Sequence, residues 1–375
     1  MSSEVALQRC ADYDLANVKE SIRKAVESLG GIGNFVKPGE SVLLKPNMLA
    51  PAAPEKAVTT NPAVVQAVAE MVLEAGGKPF IADSPAIPAF KKVAKDSGIG
   101  EVATRLGIPI VELKDSAEYS QGEHRLFRVL EISKQAVEAD RIISLPKLKT
   151  HSQMFMTAGV KNIFGCVVGA RKARWHFKAG IDRVFFARML VELYDTVAPD
   201  LTILDGIVGM EGDGPGTSGT PRQCGIIAAA VDAVAMDRVA LEIVGGKLDD
   251  FYIMQAALDM KIGETDISRI TIHGETIDSL RLDNFVFPKM TGVLMGPKIL
   301  HKVILNHLTT KPKEDRDKCT LCNQCVDICP TEIITVKDDR LVFNYDKCIR
   351  CFCCVEVCPE GAMKPVQPLL LKIVG

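Results

Sequence analysis

Two stretches near the C-terminus, CTLCNQCVDICP at residues 319–330 and CIRCFCCVEVCP at residues 348–359, decide how this part of the chain folds. Both read C-x2-C-x2-C-x3-C-P, so the second stretch repeats the first. With this spacing, three thiolates of one run wrap a loop around a cubane, and the fourth Cys ligates the other cluster. Zinc sites use two pairs of ligands rather than interlaced quartets. The repeat therefore predicts two [4Fe–4S] clusters and disfavours zinc.

The interlaced spacing divides eight Cys between the two predicted clusters. One predicted ligand set is Cys319, Cys322, Cys325 and Cys358, and the other is Cys348, Cys351, Cys354 and Cys329. Cys353 lies inside the second run but off the pattern, and we expect it to act as a small buried hydrophobe. The segment between the runs predicts a hairpin that turns at Asp338 and Asp339.

Residues 315–365 resemble a bacterial two-cluster ferredoxin, and the resemblance rests on the two Cys runs. Clusters of this kind carry one electron each, usually at low potential. The resemblance therefore implies an electron inlet or outlet, with a purely structural role of the clusters as the alternative. Because such clusters are often oxygen-labile, it also implies an anaerobic or reducing setting.

The whole chain has 375 residues and a mass of 40.7 kDa, which predicts two or three domains. Hydrophobic residues make up 47% and charged residues 25%, as in an ordinary globular protein, so disorder is not expected. The net charge of −2 argues against a dedicated nucleic-acid or membrane-surface binder. No apolar run reaches the ~18 residues of a membrane span, and no signal peptide is evident, so we expect a cytoplasmic protein.

Short apolar strands alternate with amphipathic helices over the first 290 residues. SVLLKPN at residues 41–47 and LTILDG at residues 201–206 are typical of buried strands, and Asn61 followed by Pro62 predicts a helix start. This alternation predicts an α/β fold, with a mostly parallel sheet and helices on both faces, followed by a small α+β two-cluster ferredoxin-like domain. The predicted divisions are an α/β domain at 1–290, a return segment and linker at 291–314, the ferredoxin domain at 315–365 and a tail at 366–375.

Polar side chains directly follow several of the predicted strands. They are Lys45 and Asn47 after SVLL, Asp83 after FIA, Lys147, Lys149 and His151 after IISLP, and Asp205 after LTIL. Ligands of open α/β sheets bind in the crevice outside the carboxyl ends of the strands. We therefore expect these side chains to converge on one site, the alternative being that each simply begins a loop.

Residues 145–188 carry nine Lys or Arg and a single acid, Asp182. The chain as a whole is nearly neutral, so this local excess indicates either a site for an anion or a face that docks an acidic electron carrier. The anion would be a phosphate, a carboxylate or a nucleotide. An ordinary basic surface is the simpler alternative, and nucleic acid is a weaker one because few aromatic residues are available for stacking.

Five motifs connect the first 290 residues with a known family. They are KPN at 45–47, IADSP at 81–85, LPKLKTH at 145–151, GVKNIFG at 159–165 and DGIVGMEGDGPGTSGTP at 205–221. With these motifs the chain resembles the family catalogued as domain of unknown function 362, whose members often carry a two-cluster ferredoxin module. The resemblance implies a fold and motif positions but no reaction. The positions that it implies are Lys45, Asn47, Asp83, Lys147, Lys149, His151, Lys161, Asn162, Asp205 and the glycine loop.

The glycine loop at residues 206–221 includes Gly214, Gly216 and Gly219, which match G-x-G-x-x-G. That fingerprint needs a helix to begin within it, whereas here Pro215 interrupts the motif and a strand follows. We therefore expect a flexible lid or an anion-binding loop rather than a dinucleotide site, with ordinary turn chemistry as the alternative.

Two further possibilities stay open at this stage. Asp205, Glu211 and Asp213 together could hold a divalent metal, although acidic loop residues are usually solvated. Cys166 follows the basic Lys161 closely, which could lower the thiol pKa and make Cys166 a nucleophile, although a buried structural Cys is the simpler interpretation.

We expect an iron–sulfur oxidoreductase whose clusters relay single low-potential electrons to or from an anionic substrate or cofactor in the α/β domain. The lysines would hold the anion, His151 would donate a proton, and the carboxylates would orient the lysines or take a proton. The predicted catalytic residues are His151, Lys147, Lys149, Lys161, Asp83 and Asp205, and the predicted substrate-binding residues are Lys45, Asn47, Asn162, Gly214 and Gly216.

Two other classes of protein compete with this hypothesis. One is an electron-transfer partner protein whose α/β domain docks onto a larger redox complex. The other is a non-redox enzyme whose clusters sense oxygen or redox state. We expect a redox partner such as a ferredoxin, a flavodoxin or a reductase, and the sequence leaves an additional organic cofactor undetermined.

Overall fold

The computed structural model of the chain describes residues 3–85, 87, 89–120, 125–169, 171–288 and 309–368. Residues 291–308 of the predicted linker and residues 369–375 of the predicted tail lie outside the described residues. Within the described ranges, no helix is both long enough and apolar enough to cross a lipid bilayer.

Strands are spread over the whole described chain. In chain order they are β1 (Ser3–Arg9), β2 (Ser41–Pro46), β3 (Lys78–Asp83), β4 (Ile110–Glu112), β5 (Ser116–Ser120), β6 (Val129–Ser133), β7 (Arg141–Leu145), β8 (Lys147–His151), β9 (Phe155–Thr157), β10 (Leu201–Gly212), β11 (Gly219–Ala230), β12 (Ile270–Gly274), β13 (Lys311–Glu314), β14 (Ile334–Lys337), β15 (Arg340–Phe343) and β16 (Met363–Val366).

Helices connect most of these strands. In chain order they are α1 (Leu15–Glu27), α2 (Pro62–Glu74), α3 (Phe90–Asp96), α4 (Ile99–Leu106), α5 (Lys134–Glu138), α6 (Gly159–Asn162), α7 (Arg171–Ala179), α8 (Arg183–Val197), α9 (Ala233–Ile243), α10 (Tyr252–Met260), α11 (Ile277–Leu280), α12 (Gln324–Asp327) and α13 (Cys353–Glu356).

A ten-stranded sheet forms the centre of the α/β domain. Its main path runs β12-β1-β11-β10-β7-β2-β3-β4, while β8 pairs with β10 and β9 pairs with β8. Along the main path, β11 is antiparallel to both of its neighbours, and every other pair is parallel. The predicted mostly parallel sheet is therefore confirmed.

Alternate residues of the central strands enter two separate hydrophobic cores. In β2, Val42 and Leu44 pack in a core with α1 to α4, whereas Leu43 packs in a core with α6 and α8 to α10. In β10, Ile203 and Leu204 divide between the two cores in the same way. Because both faces of the sheet are covered, its strands are apolar on both sides, and the prediction of helices on both faces is confirmed.

The side chain of Asn61 begins α2 as the sequence predicts. Its oxygen accepts a hydrogen bond from the Ala63 amide at 2.9 Å, and Pro62 occupies the first turn, where its missing N–H costs nothing. Asp232 caps α9 in the same manner by accepting from the Val234 amide. Local sequence signals thus determine where these two helices begin.

The chain departs from the predicted path after Pro146. The prediction ended a strand there, but β8 follows at once and β9 pairs with it. Residues KLKTH are polar and typical of a loop, yet β8 is buried throughout because its lysines find acceptors inside the protein. β10 and β11 also extend into the glycine loop, so that only residues 213–218 remain as the turn between them.

The C-terminal described segment, residues 309–368, forms a small unit that we call the ferredoxin-like module. β13 pairs antiparallel with β16, and β14 pairs antiparallel with β15. Asp338 and Asp339 have φ angles of 49° and 53°, as a two-residue hairpin turn requires, so the predicted turn is confirmed. Residues 311–314, which the sequence placed in the linker, form β13 of this module.

Asp237 joins α9 to α6, the short helix that carries two of the predicted site residues. Its carboxylate accepts hydrogen bonds from the Gly159 amide at 2.6 Å and the Val160 amide at 3.2 Å. Burial raises the pKa of Asp237 to about 7, although the two amides act in the opposite direction. The folded protein therefore holds a proton on Asp237 that the unfolded chain releases above pH ~4.

We expect the stability of the protein relative to its Asp237→Asn variant to fall as the pH rises from about 4 to about 7, and then to level off. In that window the unfolded state loses the proton and gains stability, whereas the folded state keeps it. Urea unfolding of both proteins, followed by circular dichroism at each pH, measures the difference. Asp278→Asn, at an exposed position, is the matched control, and an equal slope for both variants would contradict the assignment.

Candidate functional site at the carboxyl edge of the sheet

Lys45 and Asp83 form a buried ion pair at the ends of two neighbouring parallel strands. β2 supplies Lys45 and β3 supplies Asp83, with Nζ 3.0 Å from Oδ1 and side chains 0% and 5% exposed. The ammonium also donates to the Pro46 carbonyl at 2.8 Å, and the carboxylate accepts from the Met48 amide at 2.8 Å. This pair fixes one side of the crevice.

Lys147 and Asp205 form a second buried ion pair, supplied by β8 and β10. Nζ lies 2.9 Å from Oδ2 and also donates to the Tyr13 hydroxyl at 2.7 Å. That hydroxyl donates in turn to Asp205 Oδ1 at 2.8 Å, and the Asn61 amide donates to Oδ2. Burial lowers the pKa of Lys147, while Asp205 acts against this shift. Both charged groups of this pair thus have hydrogen-bond partners within the protein.

Lys149 is held by neutral acceptors rather than by a carboxylate. Its Nζ donates to Asn47 Oδ1 at 2.7 Å and to the Val58 carbonyl at 2.8 Å. The Asn47 amide donates onward to Asn162 Oδ1 at 3.3 Å. Burial, and next the charge of Lys161, lowers the pKa of Lys149 to about 7. This ammonium can therefore exchange a proton near neutral pH.

His151 connects the sheet edge to the ferredoxin-like module. Its Nδ1 accepts hydrogen bonds from the Gln153 amide at 3.0 Å and the Met154 amide at 3.2 Å, which leaves the proton of the neutral ring on Nε2. Nε2 lies 3.1 Å from Glu356 Oε1 of the module. Burial, and next Lys161, lowers the pKa of His151 to about 4, so the ring is neutral at pH 7.

Glu356 is the carboxylate that the module brings to this edge. Burial acts to raise its pKa, but His151 and Lys161 outweigh that effect and hold the pKa at about 2. The ionised carboxylate therefore faces the neutral Nε2–H of His151 and the ammonium of Lys161. Without Glu356, the cations of the crevice would face an apolar module surface.

A cavity of about 80 Å³, which we call the interdomain cavity, lies between the α/β domain and the module. From the α/β domain it is lined by Lys45, Asn47, Asp83, Lys161, Asn162, Lys172 and His176, and from the module by Ile328, Cys353, Glu356 and Val357. Its volume is several times the ~10–15 Å³ that a cavity needs to hold one water molecule. Pockets for drug-sized ligands exceed ~300 Å³, so this cavity fits a molecule of a few heavy atoms.

The predicted site residues divide between this cavity and its surroundings. The cavity is lined by Lys161, Asp83, Lys45, Asn47 and Asn162, whereas Lys147, Lys149, His151, Asp205, Gly214 and Gly216 do not line it. Of the second group, Lys149 contacts the first directly by donating a hydrogen bond to Asn47 Oδ1. The structure therefore brings five of the predicted residues together around one space.

Two lysines that approach the cavity differ in how far their ammonium groups are satisfied. Lys161 lies 5.4 Å from the centre of the Phe164 ring and donates no hydrogen bond to a described residue. Lys172 donates to the Ser84 carbonyl at 2.6 Å and to the Val167 carbonyl. Burial lowers the pKa of both groups, that of Lys172 to about 7. Lys161 therefore keeps more free N–H donors than Lys172 for a ligand in the cavity.

Four residues of the site were missed from the sequence or given another role. They are Lys172, His176, Cys353 and Glu356. His176 is 3% exposed and stacks on Phe186, and its Nδ1 has no hydrogen-bond partner among the described residues. Burial lowers the pKa of His176 to about 3. The four-residue spacing of Lys172 and His176 on one helix face was a signal that could have found both.

The glycine loop joins the two parts of the molecule. Gly214 packs against β8, and a Cβ on Gly216 would lie 2.8 Å from the Glu356 carbonyl. The Thr217 hydroxyl donates to the Cys358 carbonyl at 2.6 Å. Glycine is needed at position 216 because the module backbone approaches so closely. The loop thus contacts the module, and the expected anion-binding role for it stays a prediction.

Around Cys325, thiols from both Cys runs lie close together. Burial, and next the neighbouring Cys358, Cys322 and Cys319, raises the pKa of Cys325 to about 12. Cys358 belongs to the second run, so the runs approach one another as interlaced ligation requires.

A second group of thiols surrounds Cys354. Burial, and next Cys351, Cys348, Cys325 and Cys329, raises its pKa. Among the described residues, no three His, Cys, Asp or Glu side chains are grouped to hold a single metal ion. A cubane binds each thiolate through a different iron, so it suits thiols that are spread more widely than the ligands of one ion.

Backbone conformation repeats in the two Cys loops. Leu321 and Asn323 in the first loop, and Arg350 and Phe352 in the second, have φ angles of 54°, 64°, 56° and 60°. Alternating left-handed residues turn successive amides toward one point, which makes a concavity for an anionic group. Both loops thus fit a negatively charged iron–sulfur cluster.

The structure divides the basic segment at residues 145–188 into buried and exposed side chains. Lys147, Lys149 and Lys172 are buried, so they contribute nothing to a docking face for an acidic carrier or to an ordinary basic surface. Burial raises the pKa of Cys166 to about 11, so the nucleophile alternative is wrong, and Cys166 is the buried Cys that the simpler interpretation gave. These buried lysines donate hydrogen bonds to acceptors inside the protein instead.

The possible divalent metal site on the glycine loop is also not formed. Asp205 is paired with Lys147, and Glu211 accepts a hydrogen bond from the Val286 amide at 3.1 Å. With Asp205 occupied by an ammonium, these carboxylates do not converge on a cation.

Comparisons with known proteins agree with the two-part architecture. A family profile described as "Domain of unknown function (DUF362)" matches residues 42–242, which is more than half of the chain. The chain belongs to this family. A second profile, described as "4Fe-4S dicluster domain", matches residues 311–359. This DUF362 protein therefore carries an iron–sulfur domain of the kind that transfers electrons.

One curated relative is the thylakoid-associated protein sll1697 of Synechocystis sp. (strain ATCC 27184 / PCC 6803 / Kazusa). It is 43% identical over 291 residues, which cover 77% of this chain and 89% of the relative. Among solved structures, the lactate racemase apoprotein from Thermoanaerobacterium thermosaccharolyticum is 12% identical with a TM-score of 0.39. That match covers 53% of this chain and 50% of the racemase, and it carries no argument about fold or function.

We expect Gly165→Ala to disrupt the Lys45–Asp83 pair, because a Cβ at this position would collide with Asp83 Oδ1 and Lys45 Nζ. Breaking a buried ion pair costs about 3–5 kcal/mol. Chemical denaturation of the cluster-loaded protein measures the loss. Gly33→Ala is the matched control, since a Cβ there meets nothing within 4 Å. Equal stability of the two variants would show that the crevice tolerates displacement of the pair.

Proposed function

We propose that the protein is an iron–sulfur oxidoreductase that exchanges single electrons between a redox partner protein and a small anion in the interdomain cavity. One observation carries this proposal. The cavity is lined on one side by Lys45, Lys161 and Lys172, and on the other by residues of the Cys loops themselves. An anion held by these lysines would lie directly beside the residues that hold a cluster.

The eight Cys of the two runs would hold two [4Fe–4S] clusters in the interlaced sets that the spacing predicts. When bound, the clusters supply single low-potential electrons. The thiol groups around Cys325 and Cys354, and the turned amides of both loops, support this assignment. The residues around the cavity would bind the anion, orient it and protonate it.

The two ligand sets differ in exposure. Each set contains two buried Cys, but Cys322 of the first set is exposed and no Cys of the second set is. Cys351 of the second set hydrogen-bonds Cys353, which lines the cavity. A ferredoxin, flavodoxin or reductase would therefore dock near Cys322. The anion would take up or release electrons on the opposite side, beside the second set.

A reduction at the cavity also needs a proton, and the lysines suit this role better than His151. Burial lowers the pKa of Lys172 to about 7, so its ammonium can lose a proton near neutral pH. His151 is neutral and its Nε2 faces Glu356, so it acts as a positioning residue for the module. Lys149, whose pKa burial also lowers to about 7, could supply a second proton to the crevice.

The cytoplasmic location and the anaerobic setting expected from the sequence remain predictions. The curated relative is named for its association with thylakoids. Cell fractionation, followed by immunodetection of the intact chain, decides between the cytoplasm and a membrane-associated fraction.

We expect the double variant Cys322→Ala/Cys358→Ala to keep one cluster and Cys322→Ala/Cys329→Ala to lose both. In the first variant both substitutions fall in one ligand set, whereas in the second they fall in different sets. Anaerobic native mass spectrometry, set against the denatured mass, counts the clusters. If the first variant held none, or the second kept one, the interlaced sets would be wrong.

We expect Lys161→Ala to slow electron delivery to a small anion by about tenfold or more. The chemically reduced protein is mixed anaerobically with reducible anions, including 2-oxo acids, nitrite and sulfite, and reoxidation is followed by cluster absorption. Lys178→Ala, an exposed lysine over the Trp175 ring, is the matched control. If a flavodoxin reoxidised the clusters but every small anion failed, the electron-transfer partner hypothesis would replace this one.

A further inference from the structure

The lysine ammonium groups around the interdomain cavity have more N–H donors than acceptors among the described residues. An ammonium group has three N–H donors. Lys161 spends none of them on a described residue, Lys172 donates to two carbonyls, and Lys45 donates to Pro46 and to Asp83. The three groups therefore keep five donors for a ligand, and a carboxylate offers about four lone-pair sites.

The charges that face the cavity leave room for one negative charge. Three ammonium groups, those of Lys45, Lys161 and Lys172, face two carboxylates, those of Asp83 and Glu356. One positive charge is left over when all five groups are ionised. A monoanion offsets it, whereas a dianion such as hydrogen phosphate would bring a second negative charge into a buried space beside the Cys loops, which is costly.

The remaining walls of the cavity are apolar. Leu49 and Phe164 come from the α/β domain, and Ile328 and Val357 come from the module. Phe164 also lies beside the ammonium of Lys161, so cationic and apolar surface meet at one point. A ligand that fills this space needs an anionic end and a short apolar end.

We propose that the interdomain cavity is a binding site for a small monocarboxylic acid, whose carboxylate meets Lys161 and Lys172 and whose short carbon chain packs against Phe164 and Val357. The volume of about 80 Å³ limits the chain to a few carbons. The inference rests on the proposed function for its choice of cavity, and it names the class of ligand that the proposed function leaves open.

His176 adds a polar contact that selects among such acids. Its ring is buried and fixed by Phe186, and its unpartnered Nδ1 belongs to a residue that lines the cavity. An unsatisfied buried nitrogen costs free energy until a partner arrives. A 2-oxo or 2-hydroxy oxygen next to the carboxylate would supply that partner, so such acids should bind more tightly than the plain acid.

Anaerobic calorimetry on the oxidised, cluster-loaded full chain tests the site with propionate, propionamide, phosphate and pyruvate as probes. We expect propionate to bind with saturation, propionamide and phosphate to bind about tenfold more weakly or worse, and pyruvate to bind more tightly than propionate. Lys161→Gln should weaken propionate binding by about 10- to 100-fold, while Lys178→Ala should leave it unchanged. His176→Phe should leave the affinity for propionate unchanged and lower the affinity for pyruvate to the same level.

Several outcomes would overturn the inference. They are tighter binding of phosphate than of propionate, equal binding of propionate and propionamide, or unchanged affinity in Lys161→Gln with both clusters retained. The oxidised protein transfers no electrons, so the result stands apart from the proposed function. If propionate bound but no anion accepted electrons, the binding site would be supported and the oxidoreductase proposal would be wrong. If only nitrite or sulfite accepted electrons, the oxidoreductase proposal would be supported and the carboxylic-acid site would be wrong.

Discussion

The burial of lysine ammonium groups at the carboxyl edge of the sheet is the constraint on which the rest of the site depends. Moving an ammonium from water into a protein interior is costly unless a carboxylate and further hydrogen bonds receive it. Lys45 meets that condition through Asp83, and Lys147 meets it through Asp205. Each pair joins neighbouring strands, so the same contacts that pay for burial also hold the edge of the sheet in register. A displaced strand end would leave one charge buried alone.

This constraint also explains how the ferredoxin-like module is attached. The two pairs leave the ammonium of Lys161 without a carboxylate of its own, and Glu356 of the module supplies one across the interdomain cavity. Glu356 lies between two Cys of the second run, so its backbone position follows from the fold of the Cys loop. The ammonium of Lys161 therefore has a carboxylate opposite it only when the module is docked. Gly216 permits the approach, because any side chain there would strike the module backbone.

The sequence predicted the sheet, its two covered faces and the convergence of strand ends, because each depends on local pattern. Lys45 and Asp83 follow apolar runs, and parallel strands end at one edge. Glu356 was missed because nothing local shows that residues of the Cys loop lie beside β8. Cys353 was interpreted as a buried hydrophobe, and it is buried, but its place at the cavity wall depends on the same long-range contact. The buried strand KLKTH was missed because its polar composition is typical of a loop.

The shifted pKa values connect the buried lysines with redox chemistry. Burial lowers the pKa of Lys149 and of Lys172 to about 7, so either group gains or loses a proton at little cost near neutral pH. Under the proposed function, an electron that reached an anion in the cavity would add negative charge there, and this charge would stabilise the protonated form of a nearby lysine. The electron itself would thus draw a proton toward the cavity. A surface lysine, fully protonated at this pH, would supply charge without exchanging a proton, so burial is what would suit these lysines to the proposed reduction.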